Sequence, residues 1–271
     1  MKTKKRTLLI DGDVGLYHCT TAVEEEIDWG DDLWSLVSDA RAARQLLDSW
    51  VKSLKSKLEA SDVVMTLSGP QNWRKDILPT YKMHRKKHRK PLAFIPLRNY
   101  MMDTYTTYAF NNLEGDDVLG LLAGGYEDIE GEKIIVTIDK DLRTIPGLHY
   151  NPMRPHEGVV EVGLKEADYN HLLQALMGDA VDGYSGCPGI GPKRAARLLS
   201  TPTWKVVKQA YEKAGVSEED ALVQARVARI LRFGEYDVIT GIIDLWTPQK
   251  EDTNGQGQAV ESSSGVKHES V

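Results

Sequence analysis

The chain predicts an α/β fold, with a mainly parallel central sheet flanked by helices and a C-terminal helical module. Three observations carry this. Short apolar runs at Leu8–Ile10, Asp62–Leu67 and Lys133–Ile138 alternate with stretches of helical periodicity, as expected of parallel strands joined by crossover helices. The first and third runs lead directly into acids, Asp11 with Asp13 and Asp139 with Asp141. Beyond about Lys165 strand signals fade and only helical periodicity remains.

Taken in order, the first strand is expected over Thr7–Asp13. Glu24, Glu25 and Glu26 read as a solvated acidic run. Leu36, Ala40, Ala43, Leu47, Trp50, Leu54 and Leu58 fall near helical spacing and predict a long helix over Leu33–Ala60. A second strand, Asp62–Leu67, leads to a basic segment from Trp73 to Lys90. There Arg74, Lys75, Lys82, Arg85, Lys86, Lys87, Arg89 and Lys90 face one acid, Asp76. Helices are expected over Pro91–Tyr105 and Leu113–Leu122, and the third strand over Lys133–Ile138. Further helices are expected at Glu166–Met177, Pro192–Leu199, Trp204–Ala214 and Glu218–Arg232, with a weaker signal at Tyr236–Asp244. From Glu251 the chain is polar and without apolar periodicity, the composition of a disordered tail. The expected organisation is a core over residues 1–165 containing a basic arch segment at about 73–105, a helical module over 166–250, and a tail over 251–271.

With 271 residues the chain can bury a substantial core. Its net charge of −6 argues against indiscriminate nucleic-acid binding, yet the basic segment concentrates cations in one place. The two cysteines, Cys19 and Cys187, form no ligand-spaced pair and no disulfide framework, as expected of free thiols in a reducing cytoplasm. The apolar run after the basic N-terminus is too short for a signal peptide or a membrane span. A cytoplasmic protein without membrane partners is expected.

Four acidic clusters follow these elements: Asp11 with Asp13, Glu114 with Asp116 and Asp117, Asp139 with Asp141, and Asp179 with Asp182. In an open parallel sheet the carboxyl ends of the strands share one edge, where ligands gather. Residues two apart on a strand face one side, and residues three apart on a helix share a face, so each cluster can aim two oxygens together. Carboxylates crowded in this way stay ionised only beside compensating cations. Oxygen donors without paired His or Cys suit Mg²⁺ or Mn²⁺ better than Zn²⁺. Two such ions roughly 4 Å apart can activate water and stabilise the leaving oxygen of a phosphodiester. Each acid taken singly has an alternative role as a helix cap.

The stretch from Gly178 to Leu199 contains Gly189-Ile190-Gly191-Pro192-Lys193-Arg194. Gly189 and Gly191 allow a tight turn and close backbone approach to a phosphate, Pro192 suits a first helical turn, and Lys193, Arg194 and Arg197 add sequence-independent phosphate contacts. A plain turn is the alternative. No strand precedes it and a third glycine is missing, so it is no dinucleotide fingerprint.

In Leu9-Ile10-Asp11-Gly12-Asp13, Asn72-Trp73-Arg74-Lys75 with Pro79-Thr80-Tyr81-Lys82, Leu113-Glu114-Gly115-Asp116-Asp117, Asp139-Lys140-Asp141, and Gly178-Asp179 through Arg194, the chain resembles the flap-endonuclease-like 5′-nuclease family. Within that family it is most similar to the 5′→3′ exonucleases of short-tailed bacteriophages. The matching stretches span about Leu8 to Leu199 in the family's order. The resemblance implies one divalent ion near Asp11, Glu114, Asp116 and Asp117, and a second near Asp139, Asp141, Asp179 and Asp182. It implies a helix–hairpin–helix variant at the glycine turn, gripping duplex backbone, with K⁺ at its carbonyls as a further expectation. It also implies a basic arch in which Arg74 and Lys82 act on the scissile phosphate or 5′ strand, with Lys75, Arg85 and Lys86 as further DNA contacts. Tyr17 and Tyr81 are the aromatics placed to touch a terminal base.

The family carries an Asp after the second strand, whereas here Gly69 stands at the expected place. Asp13, read as lying on the same strand face as Asp11, is the candidate to compensate. The expected protein is therefore a monomeric, metal-dependent 5′→3′ exonuclease or flap endonuclease acting on duplex DNA with a 5′ end or flap, or on RNA–DNA hybrid. It would reside in the host cytoplasm if phage-encoded. The rival readings are a DNA-structure binder that has lost its chemistry at Gly69, and a nuclease directed at RNA.

Overall fold

The computed structural model describes residues 5–87 and 89–248. The tail expected over 251–271 lies outside the described residues, as do His88 and the Lys86 and Lys87 side chains.

In chain order the elements are β1 (Arg6–Asp11), α1 (Gly12–Ala22), β2 (Glu24–Asp28), β3 (Trp34–Ser38), α2 (Ala40–Lys57), β4 (Asp62–Thr66), α3 (Arg74–Ile77), a 3₁₀ turn (Met83–Lys87), α4 (Phe94–Thr104), β5 (Thr106–Tyr108), α5 (Gly115–Ala123), β6 (Glu132–Val136), a second 3₁₀ turn (Lys140–Thr144), β7 (Gly147–Tyr150), β8 (Val159–Val162), α6 (Leu164–Met177), α7 (Pro192–Leu198), α8 (Trp204–Lys213) and α9 (Glu218–Ala228). The main sheet has the order β5-β4-β1-β6-β7-β8 and is parallel except for β8. The chain moves from β1 to β4 on one side and later to β6 on the other. The strand order thus reverses at β1, the place where open α/β sheets form their crevice.

Period-two alternation builds the core. Leu8 and Ile10 of β1 pack with Leu16, Leu47, Met65, Leu97 and Met101 on one face, and Leu9 packs with Val64, Leu119, Leu122 and Ile135 on the other. Asp39 begins α2 by accepting the N–H groups of Arg41 and Ala42. The helical part has its own core around Leu172, Leu176, Val207 and Tyr211. Ile230 and Leu231, just beyond α9, return to the sheet core and tie the two parts together.

Several expectations are corrected here. The first strand stops at Asp11, and Asp13 lies in the first turn of α1. The helix expected over Leu33–Ala60 begins only at Ala40, because Glu24–Asp28 and Trp34–Ser38 pair as an antiparallel ribbon. Glu24 is not part of a solvated run, since its carboxylate accepts both Arg89 guanidinium N–H groups and the Leu92 N–H. Tyr236–Asp244 is not a helix. The Asp237 carboxylate closes a turn on Ile239 and Thr240, and an isolated bridge joins Tyr236 to Ile243.

Candidate active site

The carboxyl ends of β1, β4 and β6 open into a cavity of about 1410 Å³. Asp11, Asp13, Glu114, Asp116, Asp139, Asp141, Asp179 and Asp182 all line it. Asp11 ends β1 and caps α1, accepting the Val14 N–H at 3.2 Å and the Thr137 hydroxyl at 2.9 Å. That hydroxyl in turn accepts the Asp139 N–H at 3.0 Å, so Thr137 fixes the spacing between β1 and the loop after β6. Asp139 caps the second 3₁₀ turn by accepting the Asp141 N–H. Asp179 and Asp182 do not share a helix face as expected. They lie in a turn after α6 in which the Asp179 carboxylate accepts the N–H groups of Val181 and Asp182. Sequence reasoning missed Thr137, although a hydroxyl two residues before Asp139 at a strand end was the available signal.

The ninth predicted ligand, Asp117, has a different task. It is fully buried and receives Arg74 through two guanidinium contacts at 2.7 and 2.8 Å, the Trp73 indole N–H and the Leu231 N–H. Its oxygens are thus occupied on the core side of α5. Arg74 is corrected with it. The guanidinium is buried and donates to Asp117, Glu114 and the carbonyls of Val227 and Arg229 at the end of α9, so its donors are committed within the protein, although it borders a small recess shared with Asp116, Asp139 and Asp141. Tyr81 is also buried, its hydroxyl shared between Glu114 and Asp182, and offers no stacking face to a base.

Lys82 and Arg85 do line the cavity. The Lys82 ammonium lies 2.6 Å from Glu114 and 3.3 Å from Asp182, and Arg85 lies 2.7 Å from Asp182. The Lys82 N–H also donates to the Asp182 carbonyl at 2.7 Å, pinning the basic segment to the acidic turn. Lys75 is exposed on α3 and is not among the residues lining the cavity.

Gly69 is not a vacated carboxylate position. A Cβ there would sit 2.0 Å from the Phe110 carbonyl oxygen and 2.6 Å from that of Asn111, so no side chain fits. The residue that β4 presents to Asp13 is Ser68, whose N–H and hydroxyl both donate to Asp13 Oδ2 at 2.9 and 2.6 Å. Sequence reasoning missed Ser68 as well. Asp13 reaches the cavity from a helix rather than from the strand.

The electrostatics fit a cation site. Burial, then the charges of Asp13 and Asp139, push Asp11 up to about 7. Burial and Asp139 push Asp141 up to about 7, and burial together with Asp11 drives Asp116 well above the usual carboxylate range. Glu114 is the exception. Burial opposes its charge, but Lys82 and Arg74 outweigh burial and hold it at about 2. Burial likewise raises Asp13, so four carboxyls of an all-oxygen donor set resist ionisation through burial and mutual repulsion, a cost that a hard divalent cation relieves. Among the described residues no three His, Cys, Asp or Glu side chains are placed so that together they could hold a metal ion as they stand. Mg²⁺ commonly retains several waters and needs only one or two carboxylates.

At the glycine turn Gly189 has φ +72°, the left-handed conformation that favours glycine. No atom lies within 4 Å of a Cβ built on Gly191, so that position is open to an approaching backbone. Lys193, Arg194 and Arg197 are exposed, and Arg194 donates to the Gly189 carbonyl at 3.2 Å. Among the described residues no helix is long and apolar enough to cross a membrane.

Residues 6–159 match the family model described as 5′-3′ exonuclease, N-terminal resolvase-like domain. The chain is 31% identical to the exodeoxyribonuclease of Enterobacteria phage T3 over 286 aligned positions, covering 90% of this chain and 94% of that protein. It is 30% identical to the exonuclease of Escherichia phage T7 with the same coverage. Among solved structures, the T5 D15 protein co-crystallised with metal ions superposes with a TM-score of 0.57 at 16% identity, over 83% of this chain and 89% of that one, which supports the fold. The chain belongs to the 5′-3′ exonuclease family.

Proposed function

We propose that the protein hydrolyses phosphodiester bonds in DNA from a 5′ end or flap, with two divalent ions, Mg²⁺ or Mn²⁺, held in the carboxylate cavity. The observation that carries this reading is the convergence of eight acids from separate stretches on the crevice at β1, with four of them resisting ionisation. Asp11, Asp13, Glu114 and Asp116 would hold one ion, and Asp139, Asp141, Asp179 and Asp182 the other. When bound, the ions supply the activation of water and the neutralisation of charge on the phosphate. Lys82 and Arg85 place positive charge on the wall of the same cavity, where it can stabilise charge developing on the phosphate. Arg74 acts through Asp117 and Glu114 as a positioning residue.

The two parts of the chain divide the work in this reading, the core carrying the chemistry and the helices from α6 onward holding the duplex. Lys193, Arg194 and Arg197, beside the open glycine turn, grip backbone phosphates without reading sequence. A K⁺ ion at the Gly189 carbonyl would have to displace Arg194. Duplex DNA with a recessed end or flap is the proposed substrate and an RNA–DNA hybrid a second one, with the protein acting as a monomer. The test is release of nucleotides from 5′-labelled duplex, flap and hybrid substrates with Mg²⁺ or Mn²⁺. No metal-dependent release, with Asp139→Ala indistinguishable from the parent, would overturn the proposal. Replacing Lys193, Arg194 and Arg197 together by alanine should weaken DNA binding equally across sequences. It should also flatten the logarithmic salt dependence by about 1 for each phosphate no longer neutralised, as read by binding titrations at several salt concentrations.

A further inference from the structure

Building on that functional reading, we propose that Ser68 is a positioning residue for Asp13, and that this corner of the cavity takes its one carboxylate from α1 while β4 supplies the hydroxyl that aims it. β1 and β4 are parallel neighbours with Asp11 opposite Thr66, so the residues that follow each strand leave the sheet at the same edge. Those residues are Gly12-Asp13 on one side and Leu67-Ser68 on the other.

Their contacts are specific. Asp13 Oδ2 takes the Ser68 N–H at 2.9 Å and the Ser68 hydroxyl at 2.6 Å. A hydroxyl has a single proton to give, and with that proton committed to Asp13 its oxygen accepts the Gly115 N–H at 3.0 Å. The rotor is thereby held from both sides, by α1 and by the start of α5. Gly115 itself leaves room for the carboxylate, because a Cβ there would lie 2.9 Å from Asp13 Oδ2. Among the described residues Asp13 Oδ1 takes no hydrogen bond, while Asp13 lines the cavity. One oxygen is thus tied down and the other left to face a ligand, the arrangement by which an outer partner orients a metal-binding carboxylate.

The corner admits only one acid. Gly69 cannot carry a side chain, because the Phe110 and Asn111 carbonyls fill the space a Cβ would need. An acid at position 68 would place its oxygens against Asp13 at hydrogen-bond distance, two like charges in one partly buried corner. At this corner the end of β4 therefore contributes a hydroxyl and α1 the carboxylate, joined by one side-chain hydrogen bond.

Five variants test this: Asp13→Ser, Ser68→Asp, the reciprocal exchange Asp13→Ser with Ser68→Asp, Ser68→Ala and Ser68→Thr. The readouts are Mn²⁺ affinity by calorimetry without DNA, the melting temperature in chelator, and kcat and KM on 5′-labelled duplex. Asp13→Ser should lose Mn²⁺ affinity, and Ser68→Asp should melt lower in chelator. The reciprocal exchange should recover Mn²⁺ affinity to within a few-fold of the parent. Ser68→Ala should weaken Mn²⁺ binding by about 10- to 100-fold, the usual effect of removing an outer partner, with KM unchanged and with recovery in Ser68→Thr. An exchange variant that folds yet binds no better than Asp13→Ser overturns the proposal, as does Ser68→Ala with parental affinity. A parent that cleaves DNA and binds Mn²⁺ while Asp13→Ser does both equally well overturns this inference alone. A parent that neither binds Mn²⁺ nor cleaves overturns the functional reading, and this inference with it.

Discussion

Asp116→Asn is expected to abolish cleavage and, at the same time, to raise the melting temperature of the metal-free protein. Asp116 is held well above the usual carboxylate range by burial first and then by Asp11, with Glu114 and Asp139 adding to the repulsion and Lys82 opposing it. Replacing that carboxyl by a neutral amide relieves the cost of burying an ionisable group, which the folded chain bears and the unfolded chain does not. Cleavage should fall by more than the 10- to 100-fold typical of an outer partner. Mn²⁺ should raise the parent's melting temperature by mass action and raise that of the variant far less.

The pH profile of the chelated parent checks the same physics. Asp11 and Asp141 rise from an ordinary value of 3.8 to about 7 in the fold. Between those values the folded chain binds more protons than the unfolded one, so their contribution to stability falls as pH rises and the repulsion is fully expressed above about 7. Glu114 runs the other way. Held at about 2, it stabilises fully above its ordinary value of 4.5, and that stabilisation is lost as pH falls through 2. Chelated protein should therefore be most stable on the acid side of neutrality, and Mn²⁺ should extend that stability to neutral pH. A chelated Asp116→Asn protein that melts below the parent, or that keeps the full Mn²⁺ shift, would refute this account.

Arg74→Ala is expected to cost about 3–5 kcal/mol of stability, the usual penalty for leaving one partner of a buried ion pair uncompensated. For a chain of this size that corresponds to a fall in melting temperature on the order of 10 °C. The guanidinium holds Asp117 by two contacts, touches Glu114 at 3.1 Å and closes the end of α9 through two carbonyls. Removing it leaves a buried carboxylate and two carbonyls short of donors. Arg74→Lys should recover little, because an ammonium cannot reproduce the planar fork. Urea denaturation read by circular dichroism decides the matter. Unchanged stability with a reduced kcat would return Arg74 to the phosphate.

The central strands were legible because β1, β4 and β6 are buried on both faces and read as apolar runs. The outer strands β5, β7 and β8 were not, since they are only three or four residues long and carry no period that such a length can display. The β2–β3 ribbon escaped for another reason. Its alternation lies among acids, and Leu36 happens to continue the spacing of the helix that follows. In the site, acids that follow a strand or begin a helix were visible from position alone. Which of them face the cavity was not, because Asp117 and Glu114 share one helical turn and both touch Arg74, while only Glu114 also reaches Lys82 on the cavity wall. The missing carboxylate is legible at Gly69, but Ser68 as the residue that meets Asp13 is not, since a shift of one residue at a strand end turns a side chain to the opposite side.

The acidic turn after α6 rests on a backbone contact that carries no charge at all. Gly178 and Gly186 face each other so closely that a Cβ on Gly178 would lie 2.4 Å from the Gly186 nitrogen, and one on Gly186 would lie 2.2 Å from the Gly178 nitrogen. Both also adopt positive φ. Each glycine thus excludes replacement of the other, and the spacing between Asp179, Asp182 and the end of α6 cannot drift by substitution at either one. The tolerance of this segment to mutation is therefore narrowest at its two least reactive residues. A single methyl group there would displace both aspartates without changing any charged residue.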